Sequence, residues 1–316
     1  MQNPSSLRSM SISAIIDRTF RLYRQNFKDI ILFSLLIGGT ASLVTMLLNV
    51  GITMSAGDIL FNPLLDIIDG TDLIDSLSYL AGLQNALTSG IFYTLISIVT
   101  GLFIYPIVYG GLSMVTLSAV FEEEEKNFFR RVMSMYWKLF YTQFASGVMV
   151  ILLSIALIIL IAIIIIPITL ISAGGSFTGA MIFAVILILV VSIAFIALFT
   201  FFLLVFPVAV HEQTFGFKAV GRAWSLFRRR FWKSFGLLVL STLIVSVLSA
   251  IISSITSFLP LIVGSVASTV LTAFLTPVIT IAFALLYVDI RITVEGYDLE
   301  LRASMLGGNL DDSINA

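Results

Sequence analysis

Hydrophobic and polar positions follow one another along this chain in long blocks. Six blocks of about 20 or more mostly apolar residues contain no Asp, Glu, Lys or Arg. A helix needs about 20 such residues to cross the hydrocarbon core of a bilayer, so the blocks predict six transmembrane helices, over residues 30–50, 90–120, 144–171, 180–210, 235–258 and 262–287. Residues 151–166 are apolar on every face of a helix, whereas a buried helix of a soluble protein would show an amphipathic stripe.

Composition agrees with this pattern. Of the 316 residues, 59% are hydrophobic and 11% are charged, whereas soluble domains carry about 25% charged residues. The chain has no cysteine and one histidine, which excludes a disulfide scaffold, a thiolate metal site and a cysteine nucleophile. We therefore expect an all-α polytopic membrane protein with no metal and no cofactor, and nucleic acid is not an expected partner.

The basic residues give the orientation. All 17 Lys and Arg residues fall before the first block, between the second and third, between the fourth and fifth, or after the sixth. Cytoplasmic loops carry such an excess of Lys and Arg, so both termini are predicted to be cytoplasmic. The first 29 residues are too polar for a secretory signal peptide, and we expect residence in a prokaryotic cytoplasmic membrane.

The chain also contains a repeated pattern. At an offset of 204 residues, Arg18 aligns with Arg222, Tyr23 with Phe227 and Phe27 with Phe231, and a fainter third copy covers residues 131–140. The prediction is one domain over 1–316, built as three transmembrane hairpins that each follow a cytoplasmic amphipathic helix. Residues 1–29 hold the first of these helices, 51–89 form an acidic outer loop, and 289–316 form a cytoplasmic tail.

The amphipathic helices supply the binding candidates. Apolar residues recur at spacings of three and four, and basic residues take the remaining surface, as in helices that lie at a membrane interface. The candidates for binding lipid or a protein partner are Arg18, Arg21, Arg24, Lys28, Arg222, Arg228, Arg229, Arg230 and Lys233. Anionic lipids suit them, as does a membrane or cytoplasmic protein. The alternative is that these residues only enforce topology and pack beneath the bundle.

Three prolines fall within predicted spans. Pro106, Pro207 and Pro277 each lie in the returning helix of a hairpin, where a proline breaks a backbone hydrogen bond and kinks the helix. They are candidate hinges, because transporters use broken helices around their substrates. The alternative is an ordinary packing kink.

Catalytic patterns are missing from the sequence. The six apolar blocks contain no acidic or basic residue, and the aspartates of the outer loop lack the alternate spacing and closing glutamate of a calcium loop. His211 and Glu212 are adjacent, and neighbours on a helix point about 100° apart. No phosphate-binding glycine motif occurs. We therefore expect no catalytic residue and no metal ligand.

Two stretches of the sequence resemble a known family. The residues that carry the resemblance are Pro207, Glu212, Gly216, Ala219, Arg222, Trp224, Leu226, Arg228, Phe231 and Trp232, together with 285–291 (LLYVDIR) and 295–298 (EGYD). They resemble a largely uncharacterised prokaryotic family named for the membrane domain of some glycerophosphoryl diester phosphodiesterases. The resemblance spans most of the chain and implies a function near lipid headgroups.

The resemblance implies only the membrane part of that family. About 29 residues follow the last predicted span, too few for the phosphodiesterase domain, and one histidine cannot supply that enzyme's site. The leading expectation is a non-enzymatic, lipid-interacting scaffold or accessory subunit. The alternative is a transporter or permease subunit for a small or lipid-derived solute.

Overall fold

The computed structural model describes residues 9–47, 90–92, 94–121, 127–172 and 177–296, and these ranges are helical with no strand. The helices are α1 Ile12–Gln25, α2 Phe27–Ile31, α3 Tyr105–Phe121, α4 Phe128–Ser134, α5 Tyr136–Ser172, α6 Phe177–His211, α7 Phe217–Arg229, α8 Phe231–Thr256, α9 Leu261–Ala273 and α10 Thr276–Glu295. A π-helical segment, Leu32–Gly39, follows α2 directly. The predicted outer loop, 51–89, lies outside the described residues.

Within the described ranges, five helical stretches are long and apolar enough to cross a membrane, judged by length and composition. They are Phe27–Leu47, Gly90–Phe121, Tyr136–Ala162, Phe231–Thr256 and Val263–Glu295. The all-helical, multi-pass prediction is therefore confirmed to this extent. The predicted span 180–210 lies in α6, for which Thr200–His211 is the apolar stretch among residues with described side chains; a sixth span and the three-hairpin plan stay predictions.

The interior of the protein is concentrated in a layer that we name the packed end. It consists of α1, α3, α7, α10 and residues 200–211 of α6, which all contact α10 or α6. Most side chains of α10 and α3 are buried. In contrast, α5 and α8 expose rows of leucine, isoleucine and valine, including Ile151, Ile155, Val247 and Ile251. Such continuous apolar surface suits contact with lipid.

The first amphipathic helix lies lengthwise on α10. Ser11 caps α1 by accepting a hydrogen bond from the Ala14 amide, as N-terminal serines do. The two helices are antiparallel, because the Met10 amide donates to Asp289 at one end and the Tyr23 hydroxyl donates to the Phe274 carbonyl at the other. The apolar stripe of α1 is therefore buried against protein, and Ile15 is 0% exposed.

Helix α7 lies on α6 in a similar way. Arg222 reaches Glu212 beyond the end of α6, and the ring of Trp224 lies 5.4 Å from that of Phe201, about three turns back along α6. The two helices are therefore antiparallel. The stripe that contains Ala219, Ala223 and Leu226 is buried, and α7 packs against α6 and also against α5 and α10.

Each amphipathic helix is joined to the following apolar helix by a single non-helical residue. These residues are Asn26, Met135 and Arg230. Asn26 and Arg230 have similar backbone angles, with φ −108° and ψ 31° against φ −134° and ψ 38°, and they are separated by the same 204 residues as the aligned copies. The internal repeat itself stays a prediction.

Candidate functional site

Four charged side chains form a network where α6 ends. Arg222 donates from Nε to Glu212 Oε2 at 2.8 Å, and its Nη2 lies 2.7 Å from the Glu295 carboxylate. Arg291 Nε donates to Glu295 at 3.2 Å and lies 3.9 Å from Glu212 Oε1. The two cations and two anions balance, and the network joins α6, α7 and α10.

The loop between α6 and α7 places Arg222 over Glu212. It turns through two residues with positive φ, Gln213 at 52° and Gly216 at 64°. The Gly216 amide donates to the Thr142 hydroxyl of α5 at 2.9 Å. A Cβ on Gly216 would lie 1.8 Å from Tyr141 Cε1, so both the backbone angle and the space require glycine here.

His211 and Glu212 converge on the hydroxyl of Tyr287. That hydroxyl lies 3.0 Å from His211 Nδ1 and 3.1 Å from Glu212 Oε1. The expectation that the two neighbours diverge on a helix was wrong for this pair, because α6 ends at His211 and Glu212 lies in the bend beyond it. Arg291 Nη1 also lies 3.1 Å from His211 Nδ1; since arginine can only donate, Nδ1 accepts and the imidazole is neutral.

Electrostatics agree with this protonation state. Burial, helped by the positive charge of Arg291, lowers the pKa of His211 from 6.5 to about 4, although Glu212 acts in the opposite direction. The hydrogen bond to Glu212 raises the pKa of the Arg222 guanidinium, and this outweighs the lowering by burial. At neutral pH His211 is therefore uncharged and Arg222 is positively charged.

A second ion pair lies in the packed end, beside the start of α1. Asp289 is 0% exposed, and its Oδ2 lies 2.5 Å from Lys233 Nζ. Its other oxygen accepts from the Met10 amide at 2.6 Å, and Lys233 donates to the Met10 carbonyl at 2.5 Å. The pair therefore holds the start of α1 between α8 and α10.

The nine basic candidates differ in their surroundings. Arg222 and Lys233 are engaged in the ion pairs above, and Arg18 is partly buried with its guanidinium near the Met10 sulfur. The other six are exposed and form no ion pair with a residue in the described ranges: Arg21, Arg24, Lys28, Arg228, Arg229 and Arg230. Binding of lipid or a partner by any of the nine stays a prediction.

Exposed aromatic side chains accompany these six cations. Trp232 is 79% exposed and Trp224 is 43% exposed, on either side of Arg228–Arg230. Phe20 and Phe27 are 42% and 45% exposed beside Arg21, Arg24 and Lys28. Tryptophan is enriched at membrane interfaces, where basic side chains reach the headgroups.

The three prolines have different places in their helices. Pro106 is the second residue of α3, after a turn at Ile104, and Pro277 is the second residue of α10, after a break at 274–275. Pro207 lies inside the continuous helix α6. Two of the three therefore coincide with interruptions of a span, and their role as hinges stays a prediction.

Within the described ranges, no group of three or more His, Cys, Asp or Glu residues is arranged to hold a metal ion. The network has no excess charge to offer a ligand, and its bonds join α6, α7 and α10. These bonds hold α7 and α10 against the end of α6, whereas the Lys233–Asp289 pair holds the start of α1.

Comparisons of the chain with protein-family models, with curated proteins and with solved structures found no match.

Sequence reasoning missed the partners in these ion pairs. Asp289 and Glu295 fall in the predicted cytoplasmic tail, 289–316, whose first seven residues continue α10 to Glu295. The resemblance did mark Tyr287, Asp289, Arg291 and Glu295, since they fall within its two C-terminal motifs. It gave no indication of which basic residue each would meet.

Proposed function

We propose that this protein is a non-enzymatic, lipid-interacting scaffold or accessory subunit of a prokaryotic cytoplasmic membrane, with both termini in the cytoplasm. The packed end faces the cytoplasmic side of the membrane. Its exposed cations bind anionic lipid headgroups and present the protein to a membrane or cytoplasmic partner.

The observation that carries the proposal is the junction between α7 and α8. Arg228, Arg229 and Arg230 are all exposed there, and Trp232, the next exposed residue, is 79% exposed. The second half of α7 packs against the apolar part of α6, since Trp224 and Phe227 contact the ring of Phe201. The three arginines are therefore next to the first residues of an apolar spanning helix, which is headgroup depth.

The junction of α1 with α2 supports the same function. Arg21, Arg24 and Lys28 flank the break at Asn26, which is equivalent to Arg230 in the aligned copies. Each cation near an anionic surface contributes about 1 kcal/mol, so three cations favour an anionic over a zwitterionic lipid by about 3 kcal/mol, or about a hundredfold in affinity. Two such clusters give the packed end a lipid preference that its balanced ion pairs cannot provide.

Native mass spectrometry of gently solubilised protein tests this proposal. We expect anionic lipid in stoichiometric amounts on the wild-type chain and a large loss of it from Arg228→Gln/Arg229→Gln/Arg230→Gln. The matched control is the triple lysine variant at the same positions, which keeps the charge and should retain the lipid. Equal lipid occupancy in the glutamine and wild-type proteins would remove the support for this proposal.

A transporter or permease subunit is the second candidate, and a specific observation favours it. Helical interruptions at Leu32–Gly39, at Ile104 and at 274–275 surround a cavity within the apolar region. Uptake or efflux assays in a deletion strain would identify such an activity. Alanine variants of Pro106, Pro207 and Pro277 should then change the rate if the prolines act as hinges, and unchanged transport would count against them.

A further inference from the structure

A cavity of about 290 Å³ lies between the π-helical segment, the start of α3 and the break between α9 and α10. Eight of its 11 lining residues carry a hydroxyl group, and none is Asp, Glu, Lys, Arg or His. The hydroxyl residues are Ser34, Ser42, Tyr105, Tyr109, Ser268, Thr269, Thr272 and Thr276. A concentration of polar groups in apolar helices is costly unless the groups find partners.

The helical hydrogen bonding of the backbone is interrupted beside the cavity, because the sequence has a proline there. Pro277 has no N–H for the Ala273 carbonyl four residues earlier, and the Ser34 hydroxyl donates to that carbonyl instead. The Val278 N–H donates a hydrogen bond to the Leu275 carbonyl, and the Phe274 carbonyl accepts one from the Tyr23 hydroxyl. The break is therefore completed by side chains from the start of the chain, which makes it a stable feature of the fold.

The lining hydroxyls form two groups. Ser42, Thr269 and Thr272 donate to backbone carbonyls of their own helices at 2.8–2.9 Å, and Ser34 donates to Ala273. The hydroxyls of the remaining four, Tyr105, Tyr109, Ser268 and Thr276, make no hydrogen bond with any residue of the described ranges. These four are available to an occupant of the cavity.

The aromatic rings add an apolar wall. Tyr105 and Tyr109 lie 5.6 Å apart, and Tyr109 lies 5.7 Å from Phe206, measured between ring centroids. A ligand that suits this site is uncharged, carries several hydroxyl groups and has C–H surface to place against the rings. At about 30 Å³ per water, the volume corresponds to about ten waters, so the ligand has about ten non-hydrogen atoms.

We propose that this cavity is a binding site for a neutral polyol, either as a free solute or as the headgroup of a neutral lipid. The proposal does not depend on the lipid binding proposed for the arginines. Tyr105, Tyr109, Ser268 and Thr276 hydrogen-bond the ligand, and Ser42 and Thr272 shape the wall.

Binding measured on the full chain in phosphatidylcholine nanodiscs tests the site. The free probes are glycerol, sorbitol and glucose in isothermal titration, and the lipid probe is monoglucosyl diacylglycerol added to the nanodisc and detected by native mass spectrometry. We expect saturable binding in one of these arms. A Tyr105→Phe/Tyr109→Phe variant should bind about tenfold more weakly for each lost hydrogen bond.

The matched control is Thr116→Val, which removes a hydroxyl of α3 that donates to the Leu112 carbonyl and does not line the cavity, and which should bind like wild type. Thermal unfolding of both variants close to that of wild type shows that the cavity is intact. If no probe binds in either arm, the cavity holds only water or acyl chain and the proposal is wrong. Binding that survives Tyr105→Phe/Tyr109→Phe unchanged would place the ligand elsewhere and also overturn it.

Discussion

Replacing Asp289 with asparagine should destabilise the packed end more than any surface substitution. The Asp289 carboxylate is 0% exposed and neutralises Lys233, whose side chain is 19% exposed. Asparagine keeps the shape and can still accept from the Met10 amide, but it leaves the Lys233 ammonium without a counter-charge. Breaking a buried ion pair by removing one partner costs about 3–5 kcal/mol, and the partial exposure of Lys233 favours the lower value.

The double variant Asp289→Asn/Lys233→Met separates this cause from a simple packing defect. It removes the unpaired cation, so it should recover much of the stability lost by Asp289→Asn. The control is Lys218→Met, which removes an exposed lysine at the start of α7 and should change stability by no more than about 0.5 kcal/mol.

Thermal unfolding in detergent, followed by size-exclusion chromatography of the surviving folded protein, measures these differences. Limited proteolysis near residue 10 reports separately whether α1 has detached, because Met10 is bonded to both members of the pair. An Asp289→Asn protein as stable as wild type would refute the argument. So would a double variant that is no more stable than Asp289→Asn.

Three further predictions concern the loop, the histidine and the topology. Gly216→Ala should lower stability by more than about 2 kcal/mol in the same unfolding assay, and adding Tyr141→Ala should recover only part of the loss, because the positive φ remains; a neutral Gly216→Ala would contradict this. Neutral His211 is favoured in the folded protein, so stability should fall as pH drops from 6.5 towards 4 while the unfolded chain takes up the proton; His211→Gln should lose that component, and identical pH profiles would disprove it. The chain has no cysteine, so single cysteines at Lys218 and at Phe258 can be labelled with a membrane-impermeant maleimide, and labelling of both from the same side of the membrane would contradict the proposed orientation.

The sequence allowed the apolar helices to be predicted because their signal is local. Runs of 20 or more residues without charge are sufficient to indicate a span. Of the three hinge candidates, Pro106 and Pro277 lie next to interruptions, whereas Pro207 lies inside a continuous helix. The π-helical segment was not predictable in this way. It contains no proline, and a Cβ added to Gly38 or Gly39 would lie 3.4 Å from Val108 or Ala273, so its surroundings involve residues that are distant in the chain.

The sequence also could not identify what the amphipathic helices pack against or which charged residues pair with one another. Periodicity showed that α1 has an apolar stripe, but a stripe of this kind fits either a membrane interface or another helix, and Ile15 is in fact buried in protein. Likewise, Lys233 was one basic residue among nine candidates until the fold placed it against Asp289. Ion pairs between residues 56 positions apart depend on tertiary structure, which a single sequence does not report.

The most direct test of lipid binding by the packed end uses Trp232 as a reporter of its own surroundings. With Trp137 and Trp224 changed to phenylalanine, Trp232 is the remaining tryptophan of the three in the chain, and brominated lipids in a nanodisc quench its fluorescence on contact. We predict stronger quenching by brominated phosphatidylglycerol than by brominated phosphatidylcholine, with the difference abolished when Arg228, Arg229 and Arg230 are glutamine. Equal quenching by the two lipids in the protein that retains its arginines would contradict the account.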